Sequence, residues 1–308
     1  MFTGTITGRG PRYCPSIEDK VFRFADKERH QIFLEPERQF SHEIYSNGLS
    51  TSLPLDVQKE FLRTIAGLEN VEIARPGYAV EYDAINPVML KHTLESKDIS
   101  GLFFAGQVNG TSGYEEAGAQ GLIAGINAAQ KIKEKDAFVL GRDEAYIGVL
   151  IDDLVTKGCD EPYRMFTSRA EFRLILREDN ADFRLAEKGH NLGILNESKY
   201  AVFLNKMNDI NGLREFSQKN YFYPRDYDEK SSIFNELGIN GVPDRISIFD
   251  ILKRPELNFQ QLANKSLYNQ GFIRSSLVSA PWLHPFIEET IEIETKYMGY
   301  ISRELERI

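Results

Sequence analysis

The feature that most constrains this chain is the run GLFFAGQVNGTSGYEEAGAQGLIAG over residues 101–125. An apolar stretch leads into a loop of Gly, Asn, Thr and Ser. The loop then enters a segment with Gly113, Ala117, Gly121, Ala124 and Ala128 at three- and four-residue intervals. That order reads as strand, turn and helix, the unit from which α/β folds are built. A helix faced with Gly and Ala loses propensity but allows close approach to a strand or a ligand. Backbone N–H groups at such a helix start, with the dipole behind them, favour negative charge. The pattern is not a complete dinucleotide fingerprint, so it reads equally as an ordinary strand–turn–helix or as a ligand-holding turn.

The rest of the chain changes character near residue 135. Before it, strand-like runs at residues 2–6, 31–36, 71–75 and 101–106 alternate with Gly and Pro turns. One helix is predicted after Pro54, where Val57, Phe61, Leu62, Ile65 and Leu68 fall at helical spacing. Further helices are predicted at 113–135, 144–156, 166–177, 197–216 and 286–308. The last places Ile287, Ile291, Met298, Ile301 and Leu305 on one face and has no stop signal, which reads as truncation. The expected architecture is an α/β portion over residues 1–135 followed by an α-helical region over 136–308.

With 308 residues the chain is long enough for two cores. No apolar run approaches the roughly 20 residues that span a bilayer, and the first ten residues do not read as a signal peptide. A cytoplasmic or organelle-lumen protein without membrane contact is expected, the cytoplasm being the first choice. Two distant cysteines make no disulfide framework, and the five histidines form no HxH or HExxH pattern, so no metal site is expected. The net charge of −9 disfavours nonspecific coating of nucleic acid, so any RNA contact must rest on a local basic patch.

Two other segments carry candidate chemistry. In residues 8–37, Arg9, Arg12, Lys20 and Arg23 surround Cys14. Those cations would favour a reactive thiolate or hold a phosphate; the alternative is a surface loop with an inert, buried cysteine. Cys159 stands beside acids and reads as inert. In residues 161–189, Arg169, Arg173 and Arg177 are spaced by four, with Arg164 and Arg184 flanking them. On one helix face they would meet successive phosphates, with Tyr163, Phe166 and Phe172 stacking on bases or packing in the core. Alternatively, Glu171, Glu178, Asp179 and Asp182 pair with them in a salt-bridged helix.

The blocks GPRYCPSIEDKV, STSLPLDVQ, RPGYAVEYD, TLESK, GLFFAGQVNGTSGYEEAGAQGL and EPYRMFTSRAEFRLILREDNADFRL occur in this order. Together they resemble the MnmG/GidA family across essentially the whole chain, more loosely after Leu195. The resemblance implies an α/β portion that is an incomplete FAD/NAD-binding domain, followed by the helical region. It also implies part of a flavin-dependent enzyme that, with the GTPase MnmE, adds a carboxymethylaminomethyl-type group to C5 of the tRNA wobble uridine. FAD, NADH and methylene-tetrahydrofolate are the implied cofactors, and tRNA, MnmE and a second copy of the full-length protein the implied partners.

Carried over by the same resemblance, Cys14 is the catalytic thiol. Gly106, Gln107, Asn109, Gly113, Tyr114 and Glu115 face FAD. The nicotinamide side takes Gly10, Pro11, Arg12, Tyr13, Cys14, Pro15, Ser16, Ile17, Glu18, Asp19, Lys20, Val21, Phe22, Arg23 and Phe24. Arg164, Arg169, Arg173 and Arg177 dock tRNA. The family's N-terminal GxGxxG strand–loop and its small terminal helical domain have no counterpart here. The chain alone is therefore expected to bind FAD weakly or not at all and to lack turnover. The alternative is a noncatalytic tRNA- or partner-binding module; a disulfide-reductase-type flavoprotein is disfavoured by the lack of a CxxC pair.

Overall fold

The structure is a computed structural model that describes residues 16–78, 83–222, 245–264 and 284–308. The strand predicted at residues 2–6 lies outside them, as do Gly10, Pro11, Arg12, Tyr13, Cys14 and Pro15. The chain folds into two compact units. One comprises Met1–Val139 and Leu150–Phe166, the other Leu140–Val149 and Thr167–Ile308. The first is α/β in character and the second is helical.

In the first unit, helix α1 (Ile17–Arg23) opens with a capping box between Ser16 and Asp19, which satisfies backbone donors at its start. Strands β1 (Phe33–Pro36) and β2 (Ile44–Asn47) pair antiparallel, with Phe33 opposite Asn47 and Pro36 opposite Ile44. Helix α2 (Leu55–Arg63) follows Pro54 and stops earlier than its apolar spacing suggested. Beyond it the backbone makes single turns into Gly67, whose φ of +91° lies outside the helical range. Helix α3 (Tyr114–Ile132) starts directly after Gly113, close to the predicted position. Leu150, Leu154 and Tyr163 form a buried cluster with Ala119, Cys159 and Met165 packed on it. Each fully buried Leu contributes about 1.5–3 kcal/mol by removal from water.

Two predicted strands are not strands. Residues 71–75 join no ladder, their only regular backbone bond being a turn from Val71 to Leu68. Residues 101–106 make a brief antiparallel contact, Glu95 opposite Phe103, instead of a strand. Gly101 and Gly106, at φ +85° and +87°, break the extended run at both ends.

In the second unit, α5 (Ala181–Asn191), α6 (Glu197–Lys219), α7 (Ile248–Ile251) and α9 (His284–Leu305) surround a core that includes Ile210, Leu213, Ile251, Phe259, Leu262 and Ile287. Phe259 opens the short helix α8 (Phe259–Asn264). Strands β3 (Tyr221–Phe222) and β4 (Ile246–Ser247) form a two-residue antiparallel pair beside α6. Asn196 caps α6 by accepting the Lys199 N–H at 2.9 Å, a contact that contributes about 1 kcal/mol. Of the predicted face of α9, Ile287 and Ile291 are buried against this core, whereas Met298 and Leu305 are exposed. Helix α4 (Tyr146–Lys157) begins in this unit and ends in the first.

The helix predicted at residues 166–177 does not form; only a 3₁₀ turn at Thr167–Arg169 and irregular turns occur. Side chains satisfy several carbonyls of this stretch instead. Arg142 donates to the Arg169 carbonyl, Arg177 to that of Leu174, Arg184 to that of Arg177 and Asn180 to that of Ile175. Arg169, Arg173 and Arg177 therefore share no helix face.

Candidate functional site

The Gly-rich turn is held from inside by one buried amide. Gln120, on the second turn of α3, accepts hydrogen bonds at Oε1 from the Gly106 N–H (3.2 Å) and from Asn109 Nδ2 (2.8 Å). Its Nε2 donates to Thr111 Oγ1 (2.9 Å) and to the Glu116 carbonyl (3.1 Å). Thr111 in turn donates to the Gly106 carbonyl at 3.0 Å. Gln120 and Asn109 are fully buried, so these bonds are shielded from water, and breaking them would strand polar groups.

Asn109 donates its Nδ2 to the Phe104 carbonyl and to Gln120, both acceptors, which fixes the orientation of its amide. Its Oδ1 is then buried with no hydrogen-bond partner. The 3₁₀ turn Gly106–Asn109 ends at Gly110, whose φ of +79° reverses the chain. Gln107 is exposed on the outer side of this turn, as are Tyr114 and Glu115 at the start of α3, Tyr114 almost completely. Gly106, Asn109 and Gly113 form the buried floor.

Glu116 lies at this helix start with a nearly fully buried carboxylate. Its Oε1 accepts the Met165 N–H at 2.8 Å and stands 3.4 Å from Arg164 Nε. Its Oε2 is buried without a partner, and a β-carbon on Gly113 would lie 1.6 Å from it. The Tyr163 N–H donates to the Gly110 carbonyl at 2.8 Å, and Tyr163 bridges to Thr111, so the segment carrying Arg164 is tied to the same turn. Cys159 Sγ lies 3.7 Å from the Asn109 carbonyl. Burial, and then the charge of Asp160, push its thiol above the ordinary range, as expected for an inert cysteine.

The described part of the nicotinamide-side stretch is α1 and its cap. The Ile17 N–H donates to the Ser50 carbonyl, and Lys20 Nζ to that of Gly48. Glu18 Oε1 accepts from Thr51 Oγ1 (3.0 Å) and from the Ser52 N–H (2.9 Å). Burial alone would raise the Glu18 carboxyl, but backbone and hydroxyl hydrogen bonds outweigh it and lower its pKa. Val21, Phe22 and Phe24 point outward.

The four arginines expected to dock tRNA sit in different surroundings. Arg164 pairs with Glu116, and Arg177 forks onto Asp179 at 3.0 Å. Arg169 and Arg173 are exposed. Arg184 donates to the Glu144 and Arg177 carbonyls. Among the described residues, no group of His, Cys, Asp and Glu side chains is placed to hold a metal ion, and no helix is long and apolar enough to cross a membrane.

Comparison with known proteins places this geometry. The family model described as "Glucose inhibited division protein A" matches residues 1–136, which contain the whole turn and α1. That described as "tRNA modifying enzyme MnmG/GidA C-terminal helical domain" matches residues 197–305. The chain belongs to the MnmG/GidA family. A relative from Listeria monocytogenes, named tRNA uridine 5-carboxymethylaminomethyl modification enzyme MnmG, is 54% identical over 303 residues, covering 98% of this chain and 46% of its own length. One of the same name from Thermodesulfovibrio yellowstonii is 53% identical over 308 residues, covering all of this chain and 47% of its own. The crystal structure of Aquifex aeolicus GidA in form II superposes with a TM-score of 0.76 at 46% identity, covering 96% of this chain and 45% of that one. The chain thus spans about half the length of the MnmG/GidA relatives it matches.

Gln120, Glu116 and Thr111 were not singled out from the sequence. Glu116, Gln120 and Asn127 nevertheless recur at four- and seven-residue spacing along α3 and are all buried. Polar side chains at core spacing within a Gly/Ala-rich helix were the available signal, because buried amides must find partners.

Proposed function

We propose that this chain is the central-to-C-terminal part of a flavin-dependent enzyme that adds a carboxymethylaminomethyl-type group to C5 of the tRNA wobble uridine. The supporting observation is the Gln120-held turn, with an orphaned buried acceptor on Asn109 at the uncapped start of α3. Such a floor fits a planar, hydrogen-bonding cofactor such as FAD. Gln107, Tyr114 and Glu115 present polar and aromatic surface around it. Bound flavin would supply hydride chemistry from NADH and relay a one-carbon unit from methylene-tetrahydrofolate.

The chain's own residues have more limited tasks in this reading. Gln120 keeps the turn in one conformation, and the first turn of α3 stabilises developing negative charge. Ser16–Phe24 edges the nicotinamide side through the outward Val21, Phe22 and Phe24. Cys14 supplies the thiol that adds to the uracil ring or moves a proton. Residues 1–135 then form the C-terminal part of the FAD/NAD-binding domain and 136–308 a helical domain. MnmE, a second protomer and a cytoplasmic setting belong to the same proposal.

The exposure of Arg169 and Arg173 also supports a tRNA contact without chemistry, which makes a noncatalytic binding module the second reading. The deciding experiment replaces the matching region of the Thermodesulfovibrio relative with this chain and expresses the graft in a strain lacking the modification. Restored modified uridine, lost with Cys14→Ser, and a yellow purified protein are expected. A colourless graft that still shifts tRNA in a salt-dependent manner would favour the binding module.

A further inference from the structure

We propose that Glu116 and Arg164 form an opposed pair of positioning charges that sets the electrostatic field at the flavin-side turn, an inference that rests on the flavin reading above. Two independent observations carry it. The carboxylate is almost wholly buried at the first turn of a 19-residue helix, with Oε2 unpartnered beside Gly113. The guanidinium stands against the same point: Nε lies 3.4 Å from Glu116 Oε1, and Nη1 lies 3.0 Å from where a Gly113 β-carbon would be.

A carboxylate in this place opposes the attraction that α3's free N–H groups exert on an anion. A guanidinium within contact distance opposes the carboxylate. Glu116 is shielded from water while Arg164 is partly exposed, so the carboxylate is screened less than the guanidinium and the balance between them sets the field at the turn. The geometry is fixed from both sides. The Met165 N–H holds Glu116 Oε1, and the Tyr163 N–H holds the Gly110 carbonyl, so Arg164 cannot drift from the turn without breaking backbone bonds. Arg164 is thereby reassigned from phosphate docking to tuning the turn.

The charge logic gives opposite signs. Reduced flavin carries one more negative charge than the oxidised ring. Removing the Glu116 charge favours the reduced form, and removing the Arg164 charge disfavours it. The test measures the flavin midpoint potential in the Thermodesulfovibrio graft carrying Glu116→Gln, Arg164→Gln or Arg164→Lys. Glu116→Gln keeps an acceptor for the Met165 N–H. The expected result is a potential raised by Glu116→Gln, lowered by Arg164→Gln and restored toward the parent by Arg164→Lys. A purely structural role would destabilise the variants without splitting the potentials in sign.

Shifts in one common direction, or no shift with flavin bound, overturn the inference. If Glu116→Gln does not fold, the partly exposed Arg164 variants decide alone: Arg164→Gln must lower the potential. A parent graft that purifies without flavin brings down the flavin reading itself and this inference with it, and the absorption spectrum separates that failure from the other.

Discussion

The sulfur of Cys159 lies 2.5 Å from the position a β-carbon on Gly110 would occupy, and Gly110 itself holds φ +79°. Two costs meet at one residue. An L side chain is strained in that region by about 1–2 kcal/mol, and the methyl of alanine would also collide with the thiol. Gly110→Ala is expected to lower stability by about 2–4 kcal/mol, above backbone strain alone. Adding Cys159→Ala should recover the collision part and leave the strain. Thermal unfolding of both single variants and the double variant measures this coupling, and strict additivity would count against the contact.

Gln120→Leu tests whether the Gly-rich turn is held from within. The substitution keeps the bulk and removes four hydrogen bonds, leaving the Gly106 N–H without an acceptor, Asn109 Nδ2 with the Phe104 carbonyl alone and Thr111 Oγ1 without its donor. A loss of about 3–5 kcal/mol is expected. Hydrogen exchange should quicken across residues 104–112 before the helical unit is affected. Unchanged protection there would mean that the turn is held by something other than this amide.

Acid should loosen the first unit through Glu95. Its carboxyl is lowered from 4.5 to about 2, chiefly by the hydrogen bond from Lys131 and then by the Gly101 N–H. Because the folded-state pKa lies below the unfolded one, its contribution is complete above about pH 4.5 and is lost as pH falls toward 2. Urea midpoints for the parent and Glu95→Gln are expected to converge over that window and to differ at neutral pH. Coincident curves at neutral pH would show that the pairing of Glu95 with Lys131, and with Lys91 at 3.1 Å, is too solvated to matter.

The arginines should divide by task. Arg173→Ala is expected to weaken tRNA binding, reduce its salt slope by about 1 and leave stability unchanged. Arg184→Ala is expected to lower the melting temperature, because the Glu144 and Arg177 carbonyls lose their donor. Fluorescence titration at several salt concentrations, alongside melting curves, separates the two. Equal effects on binding and stability would argue against the division.

Helices were legible where periodicity and caps agreed. The predicted starts at 113 and 197 are kept to within a residue by α3 and α6. The four-residue arginine spacing at 166–177 suits a helix face, but the stretch forms turns whose carbonyls accept from Arg142 and Arg184, donors supplied from elsewhere in the chain. The strand at 101–106 misled because its glycines sit at positive φ, which composition does not reveal. At the candidate site, small residues and turn chemistry marked the loop that the structure folds around Gln120, while Gln120 and Glu116 read by type as ordinary polar residues of a helix. Their core spacing with Asn127 is the sequence signal, and burial makes it plain.

Helix α4 has consequences for anyone dividing this chain. Its first residues, 146–149, group with the helical unit, and the stretch Leu150–Phe166 returns to the α/β unit. Sequence order and structural order therefore disagree. A piece ending at Val139 would lack Leu150, Leu154 and Tyr163, leaving Ala119 without its neighbours and Gly110 without the strand-like partner at Tyr163. No single cleavage yields two whole halves, and domain-swap or truncation designs need to carry residues 150–166 along with the Gly-rich turn.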